Sequence, residues 1–104
     1  MGRARAISIA TRTFSKTGDA KLFFGEMLNR YSLGEKVSQE DAADLIALMD
    51  RHNEKREKIG SGVSYFSVDR APDYPDQRCF WITRSDGSQI DISFHHCLEA
   101  KPLD

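Results

Sequence analysis

RCFWITRSDGSQIDISFHHC, residues 78–97, decides the fold of this chain. Asp86-Gly87 reads as a two-residue turn between strands, since a type I′ turn needs positive φ at both central residues and favours Asp-Gly. That turn pairs Ser85 with Ser88, Thr83 with Ile90, Trp81 with Ile92 and Cys79 with Phe94, which together make an apolar face. The opposite face then carries Arg84 across from Gln89, Ile82 from Asp91 and Phe80 from Ser93. It is mixed in character.

Upstream of the hairpin, Val63 to Arg70 reads as a strand with Val63, Tyr65 and Ser67 on one side and Ser64, Phe66 and Val68 on the other. The intervening Ala71 to Gln77, APDYPDQ, is a loop, because two prolines and two aspartates in seven residues oppose a regular ladder. Ile59-Gly60-Ser61-Gly62 turns the chain into that strand. Further back, Ala20, Phe23, Phe24, Met27, Leu28 and Tyr31 recur at helical spacing and predict a helix over 17–31, with Gly34 beyond its end. A second helix opens at Ser38-Gln39-Glu40-Asp41, a capping box with Asp in the third position, and its expected buried stripe is Ala42, Leu45, Ile46 and Met49, reaching His52. Asn53 to Lys58 extends that helix or forms a separate turn. Ala6 to Ala10 is a short strand, and Thr11 to Phe14 leads away from it.

The order β, α, α, β, β, β predicts an α+β fold: two main N-terminal helices on an antiparallel sheet of three or four strands, ending in a meander. With 104 residues and no linker or repeat, the expectation is one domain over 1–104. No apolar run approaches the roughly 20 residues of a membrane span, and 1–12 hold no apolar block of signal-peptide length. The reading is therefore a cytoplasmic monomer, with no membrane partner and with reduced cysteines. The net charge of −1 argues against coating nucleic acid by bulk electrostatics. Its distribution is uneven: +4 over 1–21, −4 over 22–50 and +2 over 51–58. Two basic segments are thus candidates for a phosphate-facing patch.

The run from Phe24 to Cys97 resembles the domain of the DCL (Defective Chloroplasts and Leaves) family, also appended to the largest subunits of plant RNA polymerases IV and V. The resemblance lies in Phe24 with Leu28-Asn29-Arg30-Tyr31, Asp41, Arg51-His52, Lys58 to Val63, Arg78 to Trp81, Arg84 to Ser88 and Ser93 to Cys97, in the family's order. It implies RNA association at the level of the pathway, with ribosomal-RNA processing the namesake's setting. It brings no catalytic residues and no cofactor.

On their own chemistry, His52, Lys55, Arg56, Lys58, Arg78, Phe80, Trp81 and Arg84 form the basic and aromatic set. Cations along phosphates and rings under bases are how single-stranded nucleic acid is held. Arg78, Phe80 and Arg84 on one strand face, with His52, Lys55, Arg56 and Lys58, are the expected nucleic-acid-binding residues, and Trp81 is assigned to the core. Cys79, His95, His96 and Cys97 are zinc-ligand types, but their spacing lacks C-x-x-C, and the reading is no metal. His52 or His96 as a base, with Asp86 or Asp91 and Ser88 or Ser93, falls in no recognised catalytic motif, so no enzyme is expected. Lys58-Ile59-Gly60-Ser61-Gly62 has its lysine before the glycines and a strand after, unlike a nucleotide-binding P-loop. Two function classes follow. One is a small noncatalytic RNA-associated module, an accessory in ribosomal-RNA processing; the alternative is a protein-interaction module docking onto an RNA-processing or transcription complex through loop 71–77 and a hydrophobic strand edge.

Overall fold

The computed structural model describes residues 6–52 and 55–98, apart from the side chain of His96. Two short strands, β1 (Ile7–Ile9) and β2 (Arg12–Phe14), pair antiparallel and precede helices α1 (Thr17–Asn29) and α2 (Gln39–Met49). A one-turn helix α3 (Lys55–Ile59) leads into a meander of β3 (Val63–Arg70), β4 (Arg78–Arg84) and β5 (Gln89–Ile92), and helix α4 (Phe94–Cys97) follows. The architecture is α+β as expected, with two antiparallel sheets of two and three strands. Thr11 to Phe14 does not lead away from the first strand; it folds back on it.

Ser38 caps α2 as its sequence predicts, its hydroxyl accepting from the Asp41 N–H at 3.2 Å. The helix buries Leu45, Leu48 and Met49, whereas Ile46 is half exposed. The stripe is therefore rotated from the expected one, and the buried Asp44 lies on it because Arg12 grips both carboxylate oxygens, at 3.1 and 3.0 Å. That clamp fastens the N-terminal hairpin to α2. The guanidinium also lies 4.3 Å from the centre of the Phe23 ring, next in a chain of aromatic contacts that runs through Phe24 and Phe94 to Phe80.

The hairpin register differs by one residue from the expected one. Phe80 pairs with Ile92, Trp81 with Asp91, Ile82 with Ile90 and Thr83 with Gln89. The turn is longer: Gly87 N–H donates to Arg84 carbonyl at 2.9 Å and Arg84 N–H to Ser88 carbonyl at 2.8 Å, leaving Ser85, Asp86 and Gly87 as a three-residue loop. Gly87 has φ +89° and Asp86 does not have positive φ, which excludes type I′ and gives a type I turn closed by a glycine bulge. Ser88 donates from both its N–H and its hydroxyl to Asp86, and these bonds hold the Asp86 carboxyl below the ordinary carboxylate range.

Slipping by one residue exchanges the faces of a strand. Phe80, Ile82 and Ile92 face the helices and are buried with Phe66 and Val68. Cys79, Trp81 and Thr83 point the other way. Trp81 is half buried and its indole N–H donates to the Arg70 carbonyl at 3.1 Å, so its assignment to the core is corrected.

One edge of the three-stranded sheet is lined by another segment and the other carries a lysine. Residues 34–37 run beside β3 through Gly34 N–H to Val68 carbonyl (2.7 Å), Val68 N–H to Glu35 carbonyl (3.0 Å) and Val37 N–H to Phe66 carbonyl (3.0 Å). On the other side, Lys58 Nζ donates to the Asp91 carbonyl at 2.9 Å on the four-residue β5. A lysine at that place blocks strand addition.

Candidate nucleic-acid interface

The family-like motifs meet in pairs. Tyr31 hydroxyl accepts from the Ser38 N–H at 3.0 Å and donates to Asp41, which also receives Arg30 at 2.8 Å, so Leu28 to Tyr31 is fastened to the start of α2. Arg51 Nε donates to the Cys97 carbonyl at 2.8 Å. The third pair joins the glycine turn to the hairpin tip: Arg84 donates to the carbonyls of Lys58 (2.9 Å) and Glu57 (2.8 Å), Ser85 N–H to Gly62 carbonyl (2.8 Å) and Asp86 N–H to Ser61 hydroxyl (3.2 Å). Arg84 thereby satisfies carbonyls at the end of α3, a helix terminus that favours a cation. These residues are joints of the fold.

The expected binding residues are divided between the core, the joints of the fold and the surface. Phe80 is fully buried and presents no ring to a base, and His52 is buried at 8% exposure. Arg84 is committed to α3, Arg78 donates to the Tyr31 carbonyl, Lys58 guards β5, and Lys55 pairs with Asp50. The Arg56 side chain is exposed and has no hydrogen-bond or ion-pair partner among the described residues. Lys55 and Arg56 line a shallow recess with Ile59 and Gly60. Arg3 and Arg5 of the first basic segment lie outside the described residues, as does the His96 side chain. Cys97 belongs to the core, whereas Cys79 is on the other face of the sheet and half exposed; no group of three metal-ligating side chains forms among the described residues.

The larger concavity lies at the end of the sheet, between α1, loop 71–77 and α4, with a volume of about 510 Å³. Asn29, Tyr74, Gln77, Arg78, Asp91 and His95 bring polar or aromatic groups to it. Tyr74 is 61% exposed, and the His95 ring stacks on Phe94 with centroids 4.1 Å apart. The Cys79 thiol on its wall is pushed up to about 11, by burial first and then by the carboxylates of Asp91 and Asp69, which keeps it protonated at neutral pH. Of this set, the sequence marks Arg78 as a binding residue and Asn29 as part of the family-like motif Leu28 to Tyr31, whereas Tyr74 and Gln77 belong to the loop 71–77 and carry no motif-level signal.

The family model described as Protein of unknown function (DUF3223) matches residues 25–98. The chain is 34% identical over 71 residues to Protein DCL, chloroplastic, of Solanum lycopersicum, a match covering 67% of this chain and 32% of that protein. It is 32% identical over 69 residues to DNA-directed RNA polymerase V subunit 1 of Arabidopsis thaliana, covering 65% of this chain and 4% of the subunit. The solution NMR structure of an uncharacterized protein from Rhodospirillum rubrum has a TM-score of 0.82 and 41% identity, covering 93% of this chain and 91% of that one. The chain therefore matches only a minor part of these two plant proteins and nearly the whole of the bacterial one.

Proposed function

The chain belongs to the DUF3223 family of DCL-like domains, and from that membership we propose a small noncatalytic module that associates with RNA. The observation that carries the proposal is the company the domain keeps: stretches similar to it occur in proteins named as subunit 1 of RNA polymerases V and IV. The geometry supports a surface role in α3, where the exposed Arg56 side chain, unpartnered among the described residues, lies beside Lys55 and is available to phosphate. The noncatalytic part is supported by the use of the polar motif residues, since Arg51, Arg84, Tyr31 and Asp41 hold loops and helix ends together. The finer reading, an accessory in ribosomal-RNA processing, rests on the resemblance to the DCL proteins.

For the docking alternative, residues 34–37 lie along the β3 edge and Lys58 stands at β5, which favours loop 71–77 over a strand edge as its contact surface. Titration of single-stranded RNA into the labelled protein, followed by NMR at two salt concentrations, separates the readings. A salt-sensitive footprint that includes Arg56 is expected. Absence of any shift at low salt would transfer the assignment to a protein partner.

A further inference from the structure

We propose that Trp81, flanked by Asp69 and Asp91 on the sheet face turned away from the helices, receives an arginine side chain of a partner protein. The register brings the three together. Asp69 pairs with Cys79, and Trp81, two residues further along β4, pairs with Asp91, so a carboxylate stands on each side of the central strand. The Trp81 ring is held in place, because its indole N–H donates to the Arg70 carbonyl at 3.1 Å, and it keeps part of its surface in solvent. One Asp69 oxygen accepts the Arg70 N–H at 2.8 Å, and the Asp91 carboxylate has no hydrogen-bond or ion-pair partner among the described residues. Lys58 is spent on the Asp91 carbonyl and does not pair with that carboxylate. Burial first, and then the Asp91 and Asp69 carboxylates, push the Cys79 thiol up, so both charges reach the strand between them.

Indole is the best aromatic face for a cation, and guanidinium both stacks on such a ring and donates its fork to carboxylates. The same sheet face already shows the interaction within the chain: Lys36 Nζ lies 4.2 Å from the centre of the Tyr65 ring. No cation stands over Trp81 among the described residues. The charge selects the class of partner. Single-stranded RNA needs cations beside its stacking rings, and two aspartates there repel phosphate. A basic polypeptide segment meets them with opposite charge. The surface is thus separate from Arg56 of α3 and adds a protein contact to the RNA-associated reading, without resting on it.

Trp81 is the single tryptophan of the chain, so its fluorescence reads the site directly. The probe is a glycine-serine peptide carrying spaced arginines, set against the same peptide with neutral citrulline in their place. The arginine peptide is expected to change Trp81 emission saturably at low salt, to shift the indole N–H in NMR spectra, and to bind about tenfold tighter than the citrulline peptide. In Asp69→Asn/Asp91→Asn, verified as folded by its NMR spectrum, that advantage should disappear. Mixed-sequence single-stranded RNA should leave the indole N–H in place, whether or not it moves Arg56. No response to the arginine peptide, an equal response to citrulline, or an advantage that survives in the double variant overturns the proposal. So does RNA that shifts the indole where the arginine peptide does not, which would assign this face to bases instead.

Discussion

Arg84 is seated directly against Gly60. A Cβ built at Gly60 would lie 2.9 Å from both Cδ and Nε of Arg84, and Gly60 has φ +54°. Arg84 cannot swing aside without giving up the carbonyls of Glu57 and Lys58. Gly60→Ala therefore combines an unfavourable backbone conformation with a clash, and a loss of about 2 kcal/mol is expected. Urea denaturation measures it. An unchanged midpoint would mean that the turn and the hairpin tip are not fastened as described.

Arg12 and Asp44 form a clamp that is buried on one side and exposed on the other, with side-chain exposures of 42% and 6%. Arg12→Ala strands a buried carboxylate and is expected to cost about 1–3 kcal/mol, discounted for the solvent at the guanidinium. The double variant Arg12→Ala/Asp44→Ala should be less destabilised than the sum of the two single changes. Strict additivity in thermal denaturation would show that the pair is not coupled.

Cys79 reports on the groove through its ionisation. With the folded thiol near 11 and an unperturbed value of 9.0, iodoacetamide at pH 8 should label it about 100-fold more slowly in the native protein than in urea, from the thiolate fraction alone. Cys97 is fully buried and should not compete in the native state. Below pH 9 both folded and unfolded chains keep the proton. As pH rises from 9 toward 11 the unfolded chain ionises first, so this group's contribution to stability declines over that window. Equal native and denatured labelling rates would contradict the placement of the thiol.

Lys58 covers the outer edge of β5. Lys58→Ala exposes the Asp91 carbonyl and should raise self-association, visible as a concentration-dependent dimer in sedimentation velocity. A variant that sediments as the wild type at every concentration would deny the lysine this role.

The helices and the meander are legible in the sequence because their signals are local: helical spacing over 20–31, the Ser38 cap, and the alternation of Phe66 and Val68. The hairpin register is not, because Asp86-Gly87 fits a two-residue turn and a three-residue loop equally, and the choice moves every side chain to the other face. A competing signal lay in Phe80, Ile82, Ile90 and Ile92, which gather on one face only in the observed register. The candidate site was less legible. Charge can be counted along a chain, but whether an arginine is free or spent depends on distant carbonyls, as Arg84 with Glu57 and Arg78 with Tyr31 demonstrate. The groove is assembled from α1, loop 71–77, strand ends and α4, a convergence with no sequence period.

Residues 34–37 connect the two helices yet are anchored on β3. The consequence concerns timing. A chain leaving the ribosome presents α1, the connection and α2 before Phe66 and Val68 exist to receive the connection, so the helical half must wait for sequence made later. Its native arrangement is completed only when β3 arrives, which makes release of the C-terminal half the step at which the domain acquires its shape.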